Sequence, residues 1–545
     1  MEDNRRLAAI VQGIWQRNPE AWSSNPAHLE AIPKWLGWLD VARTMRQSAV
    51  EELQAFAGEV RREGFTHALL MGMGGSSLAP EVMRLTCGVA QGFLDLAVLD
   101  STDPAMVLDF QRRLPPEQTL YVVSTKSGTT TETVSFQRYF YEATRRVAGE
   151  RAGRQFVAIT DAGTALERLA GQLGFRRTFL NPPDIGGRYS ALSYFGLVAA
   201  ALLGIDLARF LDRALEAMHA CAPEREVAEN PGAQLGAALA GHAASGRDKV
   251  TLVCAERFRS FGYWVEQLLA ESTGKEGKGL IPVEGEALGE PSSYGDDRLF
   301  VAVGEPGEGE AARLRALEAA GHPVIRLPAR EPDDLAYQFF IWEFATAVAG
   351  ALMDIDAFDQ PNVQESKDNT ERVLGEYVAS GRLPTVPEVT PGEGATQALS
   401  DLLRDAAPGE YVALMAYLPR TAANDAALTR WRLALRDHLK LATTLGYGPR
   451  FLHSTGQLHK GGPDSGRFIQ VVGEDAEDAP IPEAPYGFSI LKQAQAIGDL
   501  QALQAHGRSV VRVRVGQDTP SAINALAVET VPLLPIWEAG QPQTT

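Results

Sequence analysis

The sequence predicts an α/β protein. Doubly wound parallel sheets covered by helices on both faces (α/β/α) follow a helical N-terminal segment, and a third, smaller α/β domain closes the chain. Three observations predict this. From Thr66 short apolar runs alternate strictly with amphipathic runs at helical spacing, which requires crossover connections and therefore parallel strands. A second alternation starts at Lys249, after a break at Asn230-Pro231. A third follows the Pro/Gly-rich stretch GRLPTVPEVTPGEGA.

Residues 1–62 read as helices: LAAIVQGIWQRN, IPKWLGWLDVARTM and VEELQAFAGEVRREG carry apolar positions at helical spacing. Residues 63–205 form the first α/β unit. Its strands THALLMG, LDLAVLD, TLYVVS, QFVAIT and RRTFLN alternate with helices, and SYFGLVAAALLGI closes it. Residues 206–380 form the second unit, with strands KVTLVCA, RLFVAVG and HPVIRL and the long helix AYQFFIWEFATAVAGAL. Residues 381–545 form the third. Here YVALMAYL, RFIQVVGE and SVVRVRVG are strands, AALTRWRLALRDHLKLATTL and FSILKQAQAIGDLQALQAHG are helices, and the tail QPQTT frays.

Composition narrows the function classes. The chain has 545 residues, with 51 basic against 69 acidic side chains and a net charge of −18, which excludes a nucleic-acid partner. The N-terminus has no long apolar run, and FGLVAAALLG is too short and too rich in Gly and Ala to span a bilayer, so no membrane partner is expected. Cys87, Cys221 and Cys254 show no pairing or zinc-ligand pattern, which places the protein in the reducing cytoplasm.

Three Gly- or hydroxyl-rich stretches, one helix start and one helix end carry the chemistry. MGMGGSSLAPE follows the first strand and opens a helix, so Gly75 and Ser76 belong to an anion-accepting turn at a helix N-terminus, or to a plain tight turn. In STKSGTTTET seven of ten residues are Ser or Thr, and Lys126 sits among them; Thr125, Ser127, Thr130 and Thr133 suit a phosphate dianion. A capping box from Thr129 to Glu132 is the plainer reading. GGRYSALSYFG brings Gly187 and Arg188 to a helix start, where the guanidinium could enter a ligand site or lie on the surface. In FDQPNVQESK, Gln360 and Lys367 are seven residues apart, two helical turns, and share a face. In YWVEQLLAESTGKEGKG, Glu271 ends an apolar helix. Desolvation there tends to raise a carboxyl pKa, which suits a general base; otherwise it is the last polar residue before a Gly274 cap.

In this order these pieces resemble the phosphoglucose isomerase family, which is built from two sugar-isomerase (SIS) domains. GMGGSSLAPE is similar to the family's GIGGSxLGP turn, STKSGTTTET to SKTFTTxET, and GGRYSALSYFG to GGRxSxxSxxG. AESTGK is similar to MESNGK, and FDQPNVQESK to FDQxGVExxK. The match spans roughly residues 60–375 and resembles in particular the isomerase half of transaldolase–glucose-6-phosphate isomerase fusions, with only that half expected in this chain.

The resemblance implies an aldose–ketose isomerase interconverting glucose 6-phosphate and fructose 6-phosphate through a cis-enediol. Glu271 would be the base and Arg188 the cation beside the enediolate, with Glu132 and Gly187 next to it. Lys367 would assist ring opening or charge placement, and Gln360 would lie in the site. Ser76, Thr125, Lys126, Ser127, Thr130 and Thr133 would hold the phosphate. The partner is a small sugar phosphate, no cofactor or metal is needed, and the family implies a homodimer. A bifunctional phosphoglucose/phosphomannose isomerase and a non-catalytic sugar-phosphate sensor are the alternatives, and a sensor has no use for Glu271, Arg188 and Lys367 together.

The sequence departs from the family at Thr273, Asn362 and Gln364. It also has no GQH-type histidine between the base and FDQ, where only His322 occurs. Ring opening needs a proton donor and acceptor near neutral pH. The third unit offers HSTGQLHKGGP, and His459, ahead of His453, is the expected catalytic group if that unit folds back over the sheets; local loop packing is the alternative.

Overall fold

The computed structural model describes residues 2–534; the tail QPQTT lies outside them. In the first α/β unit the strands are β1 (His67–Gly72), β2 (Asp95–Leu99), β3 (Thr119–Ser124), β4 (Phe156–Asp161) and β5 (Arg177–Asn181). They form one parallel sheet in the order β2-β1-β3-β4-β5. The order reverses between β1 and β3, and Gly72 pairs with Ser124 in register. The MGMGGSS and STKSGTT loops therefore leave the sheet side by side at its C-terminal edge, the position where open α/β sheets bind ligands.

The second unit holds β6 (Lys249–Cys254), β7 (Ile281–Val283), β8 (Arg298–Val303) and β9 (Val324–Leu327). The third holds β10 (Tyr411–Tyr417), β11 (Ala442–Tyr447), β12 (Gly466–Val472) and β13 (Ser509–Arg514). Their orders, β7-β6-β8-β9 and β11-β10-β12-β13, repeat the first four positions of the first sheet, and all pairings are parallel. Two strands escape the sequence reading. β7 is three residues long and contains a proline, too short for a periodic signal. β11 was expected as helix; the helix Ala422–Leu439 instead ends where Lys440 adopts φ 60°, a left-handed cap that releases ATTLGY to pair with β10.

The third unit has an apolar core of its own around Leu399, Trp431 and Ile469, and the second a smaller one around Phe300 and Leu317, but other clusters are shared between units. The N-terminal helices, one face of the first sheet and the second unit pack into one apolar cluster, through Trp38, Phe195, Trp264 and Phe344. The other face of the first sheet packs against Val373 and Leu374 and against Phe488 and Leu491 of the third unit. Ile281 and Val283 pack on Tyr411 and Met415. The third unit thus folds back onto both sheets, which decides the composition of the site. Among the described residues one helix, Asp334–Met353, is long and apolar enough to cross a membrane, and 89% of its apolar window is buried in this core.

Candidate active site

Two glycine turns form the floor. After β1 the chain makes a 3-10 turn, Gly74–Ser76, before the helix Leu78–Cys87, and a second 3-10 turn, Gly187–Tyr189, lies against it. A Cβ on Gly75 would fall 1.9 Å from Gly187 O and 2.8 Å from Arg188 N, so only glycine lets the turns touch. Gly74 has φ +53°, and a Cβ there would meet Gln267 Nε2 at 2.9 Å.

Contact between these turns sets the Arg188 side chain, which is 2% exposed. Its Nε donates to Ser272 Oγ (2.7 Å), Nη1 to Gln360 Oε1 (2.8 Å), and Nη2 to the carbonyls of Ala357 (2.7 Å) and Asp359 (2.9 Å). Nη1 also lies 3.8 Å from Glu271 Oε2. Glu271 is on the last turn of the helix Phe261–Thr273, buried, and its Oε2 accepts from Gln267 Nε2 at 2.9 Å, one helical turn earlier. A carboxylate and a guanidinium thus share one buried corner, with one close bond on the carboxylate among the described residues, which leaves lone pairs available to a substrate. Lys275, 4% exposed, donates to Asp359 O and Oδ1, both at 2.7 Å, and anchors the loop before Gln360. Burial and the adjacent Arg188 charge push its ammonium down to about 8.

The hydroxyl loop forms an uncapped helix start. Thr130 is the N-cap of the helix Thr131–Ala148 but makes no capping bond; its Oγ1 shares a hydrogen bond with Thr125 Oγ1 at 2.9 Å. Glu132 does not reach back either, so the capping-box reading fails and the first-turn amides stay open to an anion. Ser127 Oγ accepts from Thr129 N at 3.3 Å, and Thr133 Oγ1 is buried with no partner among the described residues. Lys126 behaves differently from the expectation. Its Nζ is paired with Asp161 Oδ2 at the end of β4 and donates to Pro183 O at 2.9 Å, with Trp35 beneath it. The half-buried carboxylate captures the ammonium and turns it away from the hydroxyl cluster.

Gln360 is the non-helical N-cap of the helix Pro361–Ser380 (φ −152°, ψ 71°), so helical spacing does not by itself put it on the face of Lys367, which lies in the helix's second turn. Lys367 lines a cavity of about 150 Å³ with Thr129, Glu132, His453 and Gln495. His453 comes from the third unit, on the 3-10 turn Arg450–His453, and its Nε2 lies 2.9 Å from Glu132 Oε1. Gln495 Nε2 donates to the same oxygen at 2.6 Å. Burial by itself would raise the Glu132 carboxyl; the His453 charge and hydrogen bond, with Lys367 nearby, outweigh it and hold it below the usual range. Glu132 therefore pairs with His453, and it forms no ion pair with Arg188 among the described residues. Gln267 joins the two halves of the site, donating to His453 O at 2.8 Å as well as to Glu271.

His459, the expected ring-opening group, is elsewhere. It is 3% exposed, its ring 5.1 Å from that of Phe468 and 6.0 Å from that of Phe451, and its Nδ1 has no partner among the described residues. Burial, then the Lys460 and Arg508 charges, push its pKa well below normal, so it is a neutral core residue. The useful residue of TGQLH is Gln457. It accepts from Asn362 N (2.9 Å) and donates to Asn362 Oδ1 (2.8 Å) and Gly274 O (3.0 Å), which ties the Asn362 departure to the ESTGK loop. Sequence reasoning missed Gln267, Ser272 and Gln495. Gln267 was findable, four residues before Glu271 on one helix face; Gln495 lies 363 positions from Glu132 and gives no local signal.

Comparison with known proteins gives the family and the fold. The family model for phosphoglucose isomerase matches residues 40–282. Glucose-6-phosphate isomerase of Rubrobacter xylanophilus is 30% identical over 430 residues, which cover 68% of this chain and 97% of that protein. The corresponding protein of Carboxydothermus hydrogenoformans is 29% identical over 395 residues, 60% of this chain and 83% of that one. Among solved structures, a hypothetical protein of Thermus thermophilus superposes with a TM-score of 0.59 at 25% identity, covering 68% of this chain and 96% of that one. Glucose-6-phosphate isomerase of Chlamydia trachomatis, at 19% identity, shares the fold with a TM-score of 0.55 over 69% of this chain and 84% of that one. By its match to a relative covered over nearly its full length, this chain belongs to the phosphoglucose isomerase family.

Proposed function

We propose that the protein interconverts glucose 6-phosphate and fructose 6-phosphate, with Glu271 as the base. The carrying observation is the buried pair, Glu271 Oε2 at 3.8 Å from Arg188 Nη1, next to an uncapped helix N-terminus rich in hydroxyls. The phosphate binds at that N-terminus, with Ser76, Thr125, Ser127, Thr130 and Thr133 around it. Binding energy spent there, far from the reacting carbons, orients C1 and C2 at the carboxylate. Glu271 removes the proton from C2 of the open-chain aldose and returns it to C1. Arg188, already pinned by Ser272, Gln360 and two carbonyls, meets the negative charge that develops on the enediolate oxygens without having to reorganise.

Ring opening precedes this step. His453 gives its proton to the ring oxygen as the C1–O5 bond breaks, a solvent water takes the proton of the anomeric hydroxyl as the C1 carbonyl forms, and Glu132 steadies the imidazolium before transfer. Lys367, across the same cavity, places charge near the opening ring. Every residue in this scheme comes from one chain. The homodimer implied by the resemblance is part of the proposal, and light scattering should give twice 58.8 kDa. A cytoplasmic location goes with this reading, since Cys87, Cys221 and Cys254 are all unpaired.

Proton NMR of fructose 6-phosphate incubated with the protein in D₂O tests the reaction: deuterium should appear at C2 of the glucose 6-phosphate formed. No exchange would overturn the proposal, and mannose 6-phosphate in a parallel tube reports whether C2 stereochemistry is held.

A further inference from the structure

The three sheets turn the C-terminal ends of their edge strands toward one place. Asp100 follows β2, Glu284 follows β7, and Gly446 to Gly448 close β11 and continue from it. Together with Arg420, beyond β10, they line a cavity of about 860 Å³. It shares no lining residue with the small cavity around Lys367 and His453. Its size and strand-end position are those of a small-molecule site.

The polar groups of this cavity are only partly used within the protein. Arg432 is 3% exposed; its Nε donates to Thr443 O (2.7 Å) and Nη2 to Glu284 O (2.6 Å), which leaves Nη1 without a partner among the described residues. Arg450 Nε lies 3.3 Å from Asp100 Oδ2, an ion pair without a hydrogen bond, since that oxygen has no hydrogen-bond partner among the described residues. Arg420 gives Nη2 to Tyr263 Oη at 3.1 Å and approaches Asp425 only to 3.7 Å. Both of these guanidiniums lie over the Tyr263 ring, at 5.3 and 5.0 Å. On the other wall stand Glu266 and Glu284. Burial raises both carboxyls, and the charge of Glu284 raises Glu266 further.

We propose that this cavity is a second ligand site for a small hydroxylated anion of the sugar-phosphate or sugar-acid class. Arg420, Arg432 and Arg450 take its acidic group, and Glu266 and Glu284 take its hydroxyls. The site adjoins the isomerase centre through one short turn. Arg450 opens the turn at the cavity and His453 ends it at Glu132. Ser454 Oγ then donates to Glu266 Oε1 at 3.1 Å, and Glu266 precedes Gln267, which holds both His453 O and Glu271. A ligand that engages Arg450 and Glu266 acts on the turn that positions His453, so occupancy here is felt as an effector of the isomerase reaction.

Calorimetric titration of the full chain with 6-phosphogluconate tests this. Two sites per chain are expected in the wild type and one in Arg420→Ala, with the second weakened by at least ~10-fold, about the worth of one charge-assisted hydrogen bond. Turnover of Arg420→Ala without added anion should match the wild type, which also shows that it folds. Glu284→Gln, a near-isosteric change, should keep inorganic phosphate binding at this site and weaken 6-phosphogluconate. Titrating inorganic phosphate and gluconate against the wild type separates phosphate from carboxylate as the group taken. A single site in the wild type, or a second site unchanged in Arg420→Ala, overturns the proposal whatever the isomerase activity proves to be.

Discussion

His453 Nε2 lies 2.9 Å from Glu132 Oε1, joining residues 321 positions apart. One is on the third unit and the other on the first turn of the helix behind the hydroxyl loop. With Glu132 ionised, the carboxylate accepts and the imidazole carries its proton on Nε2. This is the arrangement a proton-relaying histidine needs.

His453→Ala should therefore lose turnover of cyclic glucose 6-phosphate by about 10²-fold or more while keeping open-chain substrates. His459→Ala should leave that ratio intact and lower stability by about 1–3 kcal/mol, since it empties an aromatic pocket. Comparing cyclic and open-chain rates in both variants decides the matter; equal losses on the two substrates in His453→Ala would remove it from ring opening.

Glu271→Gln should lower kcat by about 10²–10⁴ and leave 6-phosphogluconate affinity nearly unchanged. Gln267→Leu should act through Glu271 and the His453 turn, lowering kcat less and shifting its pH profile. A Glu271→Gln enzyme with wild-type turnover would exclude the assignment.

The contact of the glycine turns makes a steric prediction. Gly75→Ala puts a methyl 1.9 Å from Gly187 O, so the turns must part and Arg188 must move with them. A loss of about 1–3 kcal/mol of stability, the usual cost of overpacking, should accompany a fall in kcat. Thermal melting and turnover on the same preparation check both.

Lys126 and Thr130 should separate in kinetics. Because Asp161 and Pro183 O already hold the Lys126 ammonium, Lys126→Ala should raise KM by less than about threefold. Thr130→Val should raise it by about tenfold, the worth of a hydrogen bond to a charged group. The reverse ranking would place Lys126 on the phosphate.

Acid should undock the third unit. Burial alone would raise the Glu132 carboxyl, but His453 overrides it and holds the group below its usual 4.5. Its stabilising contribution is therefore full above 4.5 and is lost as pH falls through the lower folded-state value. Glu132→Gln should melt at lower temperature than wild type at about pH 7, and the gap should close in that acid window. A gap independent of pH would show that the pairing is not charge-dependent.

The sequence by itself determined the parallel α/β architecture, because strand–helix alternation is a local pattern. It also carried the ordered motifs around Gly75, Thr130, Arg188, Glu271 and Gln360, each a run of adjacent residues whose turn or cap is decided by its neighbours. Tertiary structure decided the rest. β11 exists because Lys440 turns left-handed and β10 offers a free edge, which no periodicity reveals. Lys126 faces away from the hydroxyls because a carboxylate at the end of β4 reaches it first. His453 rather than His459 enters the site because the apolar face of the third unit buries one imidazole between Phe451 and Phe468 and leaves the other on a turn facing Glu132. Two histidines six residues apart have the same local chemistry; which surface the third unit buries is a property of the whole packed core.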